Sequence, residues 1–116
     1  MIENPIFKKT YELIKLLFDT QRLVPRHCQY TLWQRCQNTA LGILEDIIYT
    51  GQNPKDDRAA ILRKLSVKID LLRVFIRLAY ESRAIDPKKH AALQSIVDEI
   101  GRMLGGWLKI AGGGSA

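Results

Sequence analysis

The segment Asp56–Ser82 carries two apolar stripes where a helix in a monomeric bundle needs one. At roughly 100° per residue, Ile61, Leu62, Leu65, Ile69, Leu72, Ile76 and Ala79 share one sector, and Val67, Leu71, Val74 and Leu78 fall almost opposite. Arg63, Asp70, Arg73 and Arg77 run between the stripes on one flank, with Lys64 and Lys68 on the other. The first stripe suits a core. The second, left in water, is an aggregation liability, so it is expected to be a self-association surface. The competing reading tucks the helix between neighbours with both stripes internal, but a single-layer bundle gives each helix one buried sector.

Three more helices follow from their punctuation. The first spans about residues 5–22: Asn4 can cap it and Pro5 suits its first position, where a missing N–H costs nothing. Its expected inward stripe is Phe7, Tyr11, Ile14 and Phe18, widened by Leu13, Leu16 and Leu17. Pro25 disfavours helical geometry before it, which makes residues 23–29 a loop. A second helix covers 31–50, with Thr31 and Gln34 at capping-box spacing and Leu32, Cys36, Ala40, Ile43, Leu44 and Ile47 recurring at helical period. Gly51 is expected to end it and Gln52-Asn53-Pro54 to turn the chain. The third helix spans 56–82. The fourth spans 87–109, with Asp86 as cap, Pro87 at its start, and Leu93, Ile96, Val97, Ile100, Leu104, Trp107 and Leu108 on one stripe.

No stretch alternates with period two long enough to be a strand. Short connections between long helices favour antiparallel neighbours, so the expected fold is all-α: an up-down-up-down antiparallel four-helix bundle in one domain over residues 1–110. Residues 111–116, AGGGSA, have no side chains to pack and form either a native flexible end or a linker scar. Gly101 and Gly105, four apart, would admit a second backbone; alternatively the helix is fraying by Gly105.

Composition bounds the function classes. With 47% hydrophobic and 26% charged residues, the chain is ordinary for a globular domain, and disorder is expected only at its ends. Eighteen Lys and Arg against twelve Asp and Glu leave a net charge of +6, which favours polyanionic partners. Charge alone is equally compatible with a soluble basic protein. Glu3, Lys8, Lys9 and Glu12 interrupt any secretory apolar run, and no window approaches a membrane span, so a cytoplasmic protein is expected.

Catalysis needs a constellation, and the chain has few parts for one. Cys28 and Cys36 match no zinc or redox spacing and read as a reduced pair, Cys36 as a small core residue. His27 and His90 lack companion ligands at metal spacing. The carboxylates come as sequence neighbours (Glu45–Asp46, Asp56–Asp57, Asp98–Glu99), which diverge on a helix and cannot converge on one bond. There is no glycine-rich phosphate loop. No catalytic residue, metal site or cofactor is expected.

The basic residues carry the functional reading. Arg73 and Arg77 stack one turn apart, Arg63 lies in line two to three turns earlier, and Lys64 and Lys68 line the other flank. Arg22 and Arg26 flank the first loop. Arginine's planar fork suits phosphate, so these seven are candidate nucleic-acid contacts. The plainer alternative is a solvated flank in which Asp70 pairs with Arg73 or Arg77. No aromatic platform for base stacking is evident on the polar faces, so little sequence readout is expected.

The stretches NPIFKKTYELIKLLF, PRHCQYTLWQRCQNTALGILEDIIYT, KIDLLRVFIRLAYES and EIGRMLGGWLK resemble the accessory variability determinant (Avd) of diversity-generating retroelements, a family allied to the four-helix-bundle proteins of ribosomal-RNA intervening sequences. The resemblance runs nearly to Lys109. Its most specific pieces are the TLWQR block and the terminal GRMLGGWLK, while Trp33, Cys28 and Cys36 depart from the pattern. It implies a four-helix bundle assembling as a homo-oligomeric, pentameric barrel. It also implies binding to RNA or DNA and to the element's reverse transcriptase in support of mutagenic cDNA synthesis, with the chemistry left to that partner. Arg73 and Arg77 match positions where the family carries basic residues. The alternative, from the intervening-sequence branch, is an interaction module whose basic surface docks an acidic protein.

Overall fold

The structure is a computed structural model that describes residues 4–52 and 55–111. Helix α1 (Pro5–Thr20) runs through a 3₁₀ turn, Gln21–Leu23, to the short α2 (Arg26–Gln29). Three long helices follow: α3 (Leu32–Gln52), α4 (Lys55–Glu81) and α5 (Pro87–Ala111). Among the described residues there is no strand.

Two helix starts are built from the punctuation read in the sequence. Asn4 Oδ1 accepts the Ile6 N–H at 3.0 Å, and Asp86 Oδ1 accepts the Lys89 N–H at 2.7 Å, with Pro5 and Pro87 at the first helical positions. The capping box expected at Thr31 and Gln34 is a correction. The Thr31 hydroxyl donates instead to the His27 carbonyl at 3.0 Å, because the preceding residues form α2 and offer a carbonyl one turn back. The expected 23–29 loop is thus partly helical. Gln29 locks it, its side-chain amide donating to the carbonyls of Gln21 at 3.2 Å and Val24 at 2.9 Å.

Contacts between helices fix their order and direction. Trp33, at the start of α3, donates its indole N–H to the Leu17 carbonyl near the end of α1, at 2.9 Å. Lys9 of α1 reaches Glu99 of α5 at 3.2 Å. Asp46 of α3 meets Lys68 of α4 at 2.8 Å, while Arg35 lies over the Phe75 ring at 5.0 Å. Arg73 meets Asp98 at 3.2 Å, while Arg58 lies over Trp107 at 6.0 Å. Early residues of each helix face late residues of its neighbour, so the four long helices run antiparallel around a ring α1–α3–α4–α5. Helices α1 and α4 are therefore diagonal.

The core agrees with the sequence on α4 and α5 and departs from it on α1. Leu62, Leu65, Ile69, Leu72, Ile76 and Ala79 are buried, with Ile61 half-buried. On α5, Leu93, Ile96, Val97, Ile100 and Leu104 are buried. On α3, Trp33 and Gln37 join Cys36, Ala40, Ile43 and Ile47 inside, while Leu32 and Leu44 are half-buried. On α1 the inward stripe is Ile6, Thr10, Leu13, Leu17 and Thr20, not Phe7, Tyr11, Ile14 and Phe18. The helix is turned because the Thr10 and Thr20 hydroxyls are satisfied within it, on the carbonyls of Ile6 at 2.8 Å and Leu16 at 2.7 Å. A threonine bonded this way no longer carries the desolvation cost that would keep it at the surface.

Two glycine expectations are also revised. Helix α3 passes through Gly51 to Gln52, and α5 passes through Gly105 and Gly106 to Ala111 without fraying. Packing of a long amphipathic face outweighs about 1 kcal/mol of propensity per glycine. The turn at Asn53-Pro54 and the tail 112–116 lie outside the described residues.

Candidate nucleic-acid interface

The second stripe of α4 faces outward. Val67 is 66% exposed, Val74 53%, Leu78 43% and Leu71 38%. The helix is long enough to display them over three turns because its opposite face is anchored along its length by the buried stripe.

The seven cationic candidates divide into two groups. Arg73 is held by Asp70 at 2.9 Å and, across the helix interface, by Asp98 at 3.2 Å. Arg77 pairs with Glu81 one turn on at 3.1 Å, and Lys68 with Asp46 of α3 at 2.8 Å. Arg22, Arg26, Arg63 and Lys64 are exposed and make no ion pair among the described residues. Asp70 pairs with Arg73, and Arg77 finds Glu81 instead. The two flanks of α4 thus face different neighbours: Lys68 points to α3 and Arg73 to α5. Arg63 and Lys64 lie on opposite flanks of the Val67 end of the apolar stripe, and Arg22 and Arg26 lie in the α1–α3 connection.

Residues the sequence reading missed gather at that connection. A cavity of about 680 Å³ opens between it and the α4–α5 turn, lined by Thr20, Leu23, Pro25, Tyr80, Arg83 and Lys89 among others. Tyr80 stacks on His90, ring centroids 4.2 Å apart and planes 8° from parallel. Arg83 has φ 61°, a left-handed conformation that closes α4: its N–H reaches the Tyr80 carbonyl at 3.0 Å, and Ala84 N–H reaches Ala79 at 2.8 Å. The signal for Tyr80 was its place three residues beyond Arg77 on a charged flank. The signal for Arg83 was absent, because glycine is the residue expected there.

Helix α1 also presents apolar side chains outward. Tyr11 and Phe18 of α1 and Leu23 of the 3₁₀ turn are exposed, Phe7 and Ile14 are half-buried against the core, and Phe7 stacks on Tyr11 with centroids 6.5 Å apart. Four of these five are the residues that periodicity alone assigns to the core, and they lie on the helix diagonal to α4.

The chemistry of the remaining groups is structural. Cys28 and Cys36 are buried thiols, and burial pushes the Cys36 pKa up to about 12, away from thiolate reactivity. Lys9 is raised above the ordinary lysine value by the Glu12 carboxylate first and Glu99 second, and so acts as a charged tie between α1 and α5. Among the described residues no three metal-ligating side chains cluster, and no helix is long and apolar enough to cross a membrane.

No curated protein matches the chain. The bAvd-like family model matches residues 5–111, nearly the whole bundle, and the chain belongs to the bAvd-like family, accessory and non-catalytic proteins of the Avd type.

Proposed function

We propose that this protein is an accessory subunit of a diversity-generating retroelement. It binds RNA or DNA electrostatically and associates with the element's reverse transcriptase in support of mutagenic cDNA synthesis. The observation that carries the reading is the exposed aliphatic stripe of α4 flanked by Arg63 and Lys64, which make no ion pair among the described residues, in a bAvd-like chain of net charge +6. Such a stripe joins copies of the chain, and each copy adds its positive charge to the summed field.

The outward apolar residues of α1 support a head-to-tail arrangement. They lie on the helix diagonal to α4, so the α4 stripe of one copy can cover the α1 stripe of the next. A contact between two different faces closes into a ring when the rotation allows, which suits the pentameric barrel that the family resemblance implies. The polymerase supplies the chemistry, and the bundle supplies the anion-binding surface.

A gel-shift titration with arbitrary duplex DNA and single-stranded RNA tests the reading. For 6–10 phosphate contacts, affinity falls on the order of 10³–10⁵ between 50 and 200 mM salt. Binding to an acidic protein face, with no nucleic-acid shift at moderate salt, would favour the interaction-module alternative and overturn this function.

A further inference from the structure

The cavity at the Tyr80 end of the bundle sets a flat aromatic surface, which the α4 stripe lacks, beside an apolar wall and cations that make no ion pair among the described residues. Tyr80 lines the cavity while His90, stacked against one face of its ring, does not. The stack covers one face of the phenol ring, and Tyr80 remains 37% exposed. Leu23, Pro25 and Ile85 supply the apolar wall.

The charges around this space sort in favour of an anion beside a flat ring. Of the two lining acids, Glu81 is taken by Arg77 at 3.1 Å, and Asp86 caps α5 by accepting the Lys89 N–H at 2.7 Å. The lining cations Arg83 and Lys89 make no ion pair among the described residues, and Arg22 and Arg26 flank the wall residues Leu23 and Pro25. Arg83 also sits where glycine would cost less, since a non-glycine residue in the left-handed region carries strain on the order of 1 kcal/mol. Arg83 nevertheless lines the cavity.

We propose that the cavity holds an unpaired nucleobase of a single-stranded nucleic acid, the base stacking on Tyr80 and its phosphate meeting Arg83 and Lys89. The inference rests on the nucleic-acid reading above and narrows it, because a duplex has no free base face to offer. Base–aromatic stacking is tolerant of sequence, since every base has a π-face. The subsite therefore confers preference for single strands without sequence readout.

The test compares three probes of equal charge: an oligodeoxyadenylate of about a dozen nucleotides, an abasic strand of the same length, and a short duplex. The wild type should prefer the base-bearing strand over the abasic one. Tyr80→Ala should weaken binding of the base-bearing strand by about 5- to 100-fold and leave the abasic strand and the duplex unchanged. Tyr80→Leu keeps the side chain's bulk without its flat face and should behave as Tyr80→Ala, with melting temperature and circular dichroism confirming the fold. Tyr80→Trp should retain binding and report it as fluorescence quenching by the base-bearing strand alone. Equal affinity of the wild type for base-bearing and abasic strands overturns the subsite while leaving electrostatic binding intact. An equal loss on both strands in Tyr80→Leu does the same. Failure of the wild type to bind any of the three probes overturns the nucleic-acid reading itself.

Discussion

Arg73 Nη2 occupies the space beside Gly101: a Cβ on that glycine would stand 2.6 Å from it. The glycine thus admits a side chain from α4, not a second backbone, and the guanidinium it admits is the one that bridges Asp70 and Asp98. The packing of α4 on α5 and the charge state of the α4 flank are therefore coupled at one residue.

Gly101→Ala tests that coupling. Alanine gains about 1 kcal/mol of helix propensity, while the two displaced ion pairs, to Asp70 and Asp98, are largely exposed and worth about 0–1 kcal/mol each. Thermal unfolding should show the variant within about 1 kcal/mol of the wild type. A loss above about 1 kcal/mol would mean that the new methyl group cannot be accommodated by moving a flexible side chain. At Gly105 no described atom beyond its chain neighbours and the helix's own backbone lies within 4 Å of the equivalent Cβ, so Gly105→Ala should realise the propensity gain of about 1 kcal/mol in full.

The outward stripe of α4 should govern assembly. Val67→Asp combined with Val74→Asp places charges on two exposed positions that the protomer does not need for its own core. Sedimentation should show the variant as a helical 13.3 kDa species and the wild type as a larger one. A wild type that sediments only at the monomer mass at micromolar concentration removes the assembly from the function.

The unpaired cations should contribute more to nucleic-acid binding than the paired ones. Arg63→Ala with Lys64→Ala should flatten the dependence of log K on log salt by roughly 0.7–0.9 for each phosphate no longer neutralised. Arg73→Ala with Arg77→Ala should change it less, because those guanidinia already face Asp70, Asp98 and Glu81 and must leave them to meet a phosphate. The reverse ranking would place the binding strip back on Arg73 and Arg77.

Cys36 should couple stability to alkaline pH. Its thiol is neutral in the fold up to about pH 12, against a reference of 9.0. Above pH 9 the unfolded chain sheds a proton that the folded one keeps, so the contribution is fully present below that value and is lost as pH rises toward 12. The slope from this group alone approaches about 1.4 kcal/mol per pH unit. Denaturant unfolding of the wild type and Cys36→Ala should show a shallower decline in the variant across that window. Equal slopes would mean that the thiol is not held protonated by burial.

The long amphipathic helices were legible in the chain because their signals are local. The inner residues of α4 recur at a period that no strand or loop could use, and the outer four fall where the same arithmetic puts them. Asn4-Pro5 and Asp86-Pro87 mark helix starts through bonds spanning two or three residues. Where several apolar residues competed for one face, as on α1, periodicity alone could not choose. The choice went to Ile6, Leu13 and Leu17 once Thr10 and Thr20 had found carbonyls within the same helix.

Which cations are paired and which are free is a different kind of fact. Lys68 meets Asp46, and Arg73 meets Asp98, across helix pairs whose rotation no single segment encodes. The cavity at Tyr80 exists only because Leu23 and Pro25 arrive beside a turn far later in the chain. Side-chain spacing within a helix follows from bonded geometry and can be counted along the sequence. The partners of a charged side chain follow from how neighbouring helices pack, and that is settled only when the whole core closes.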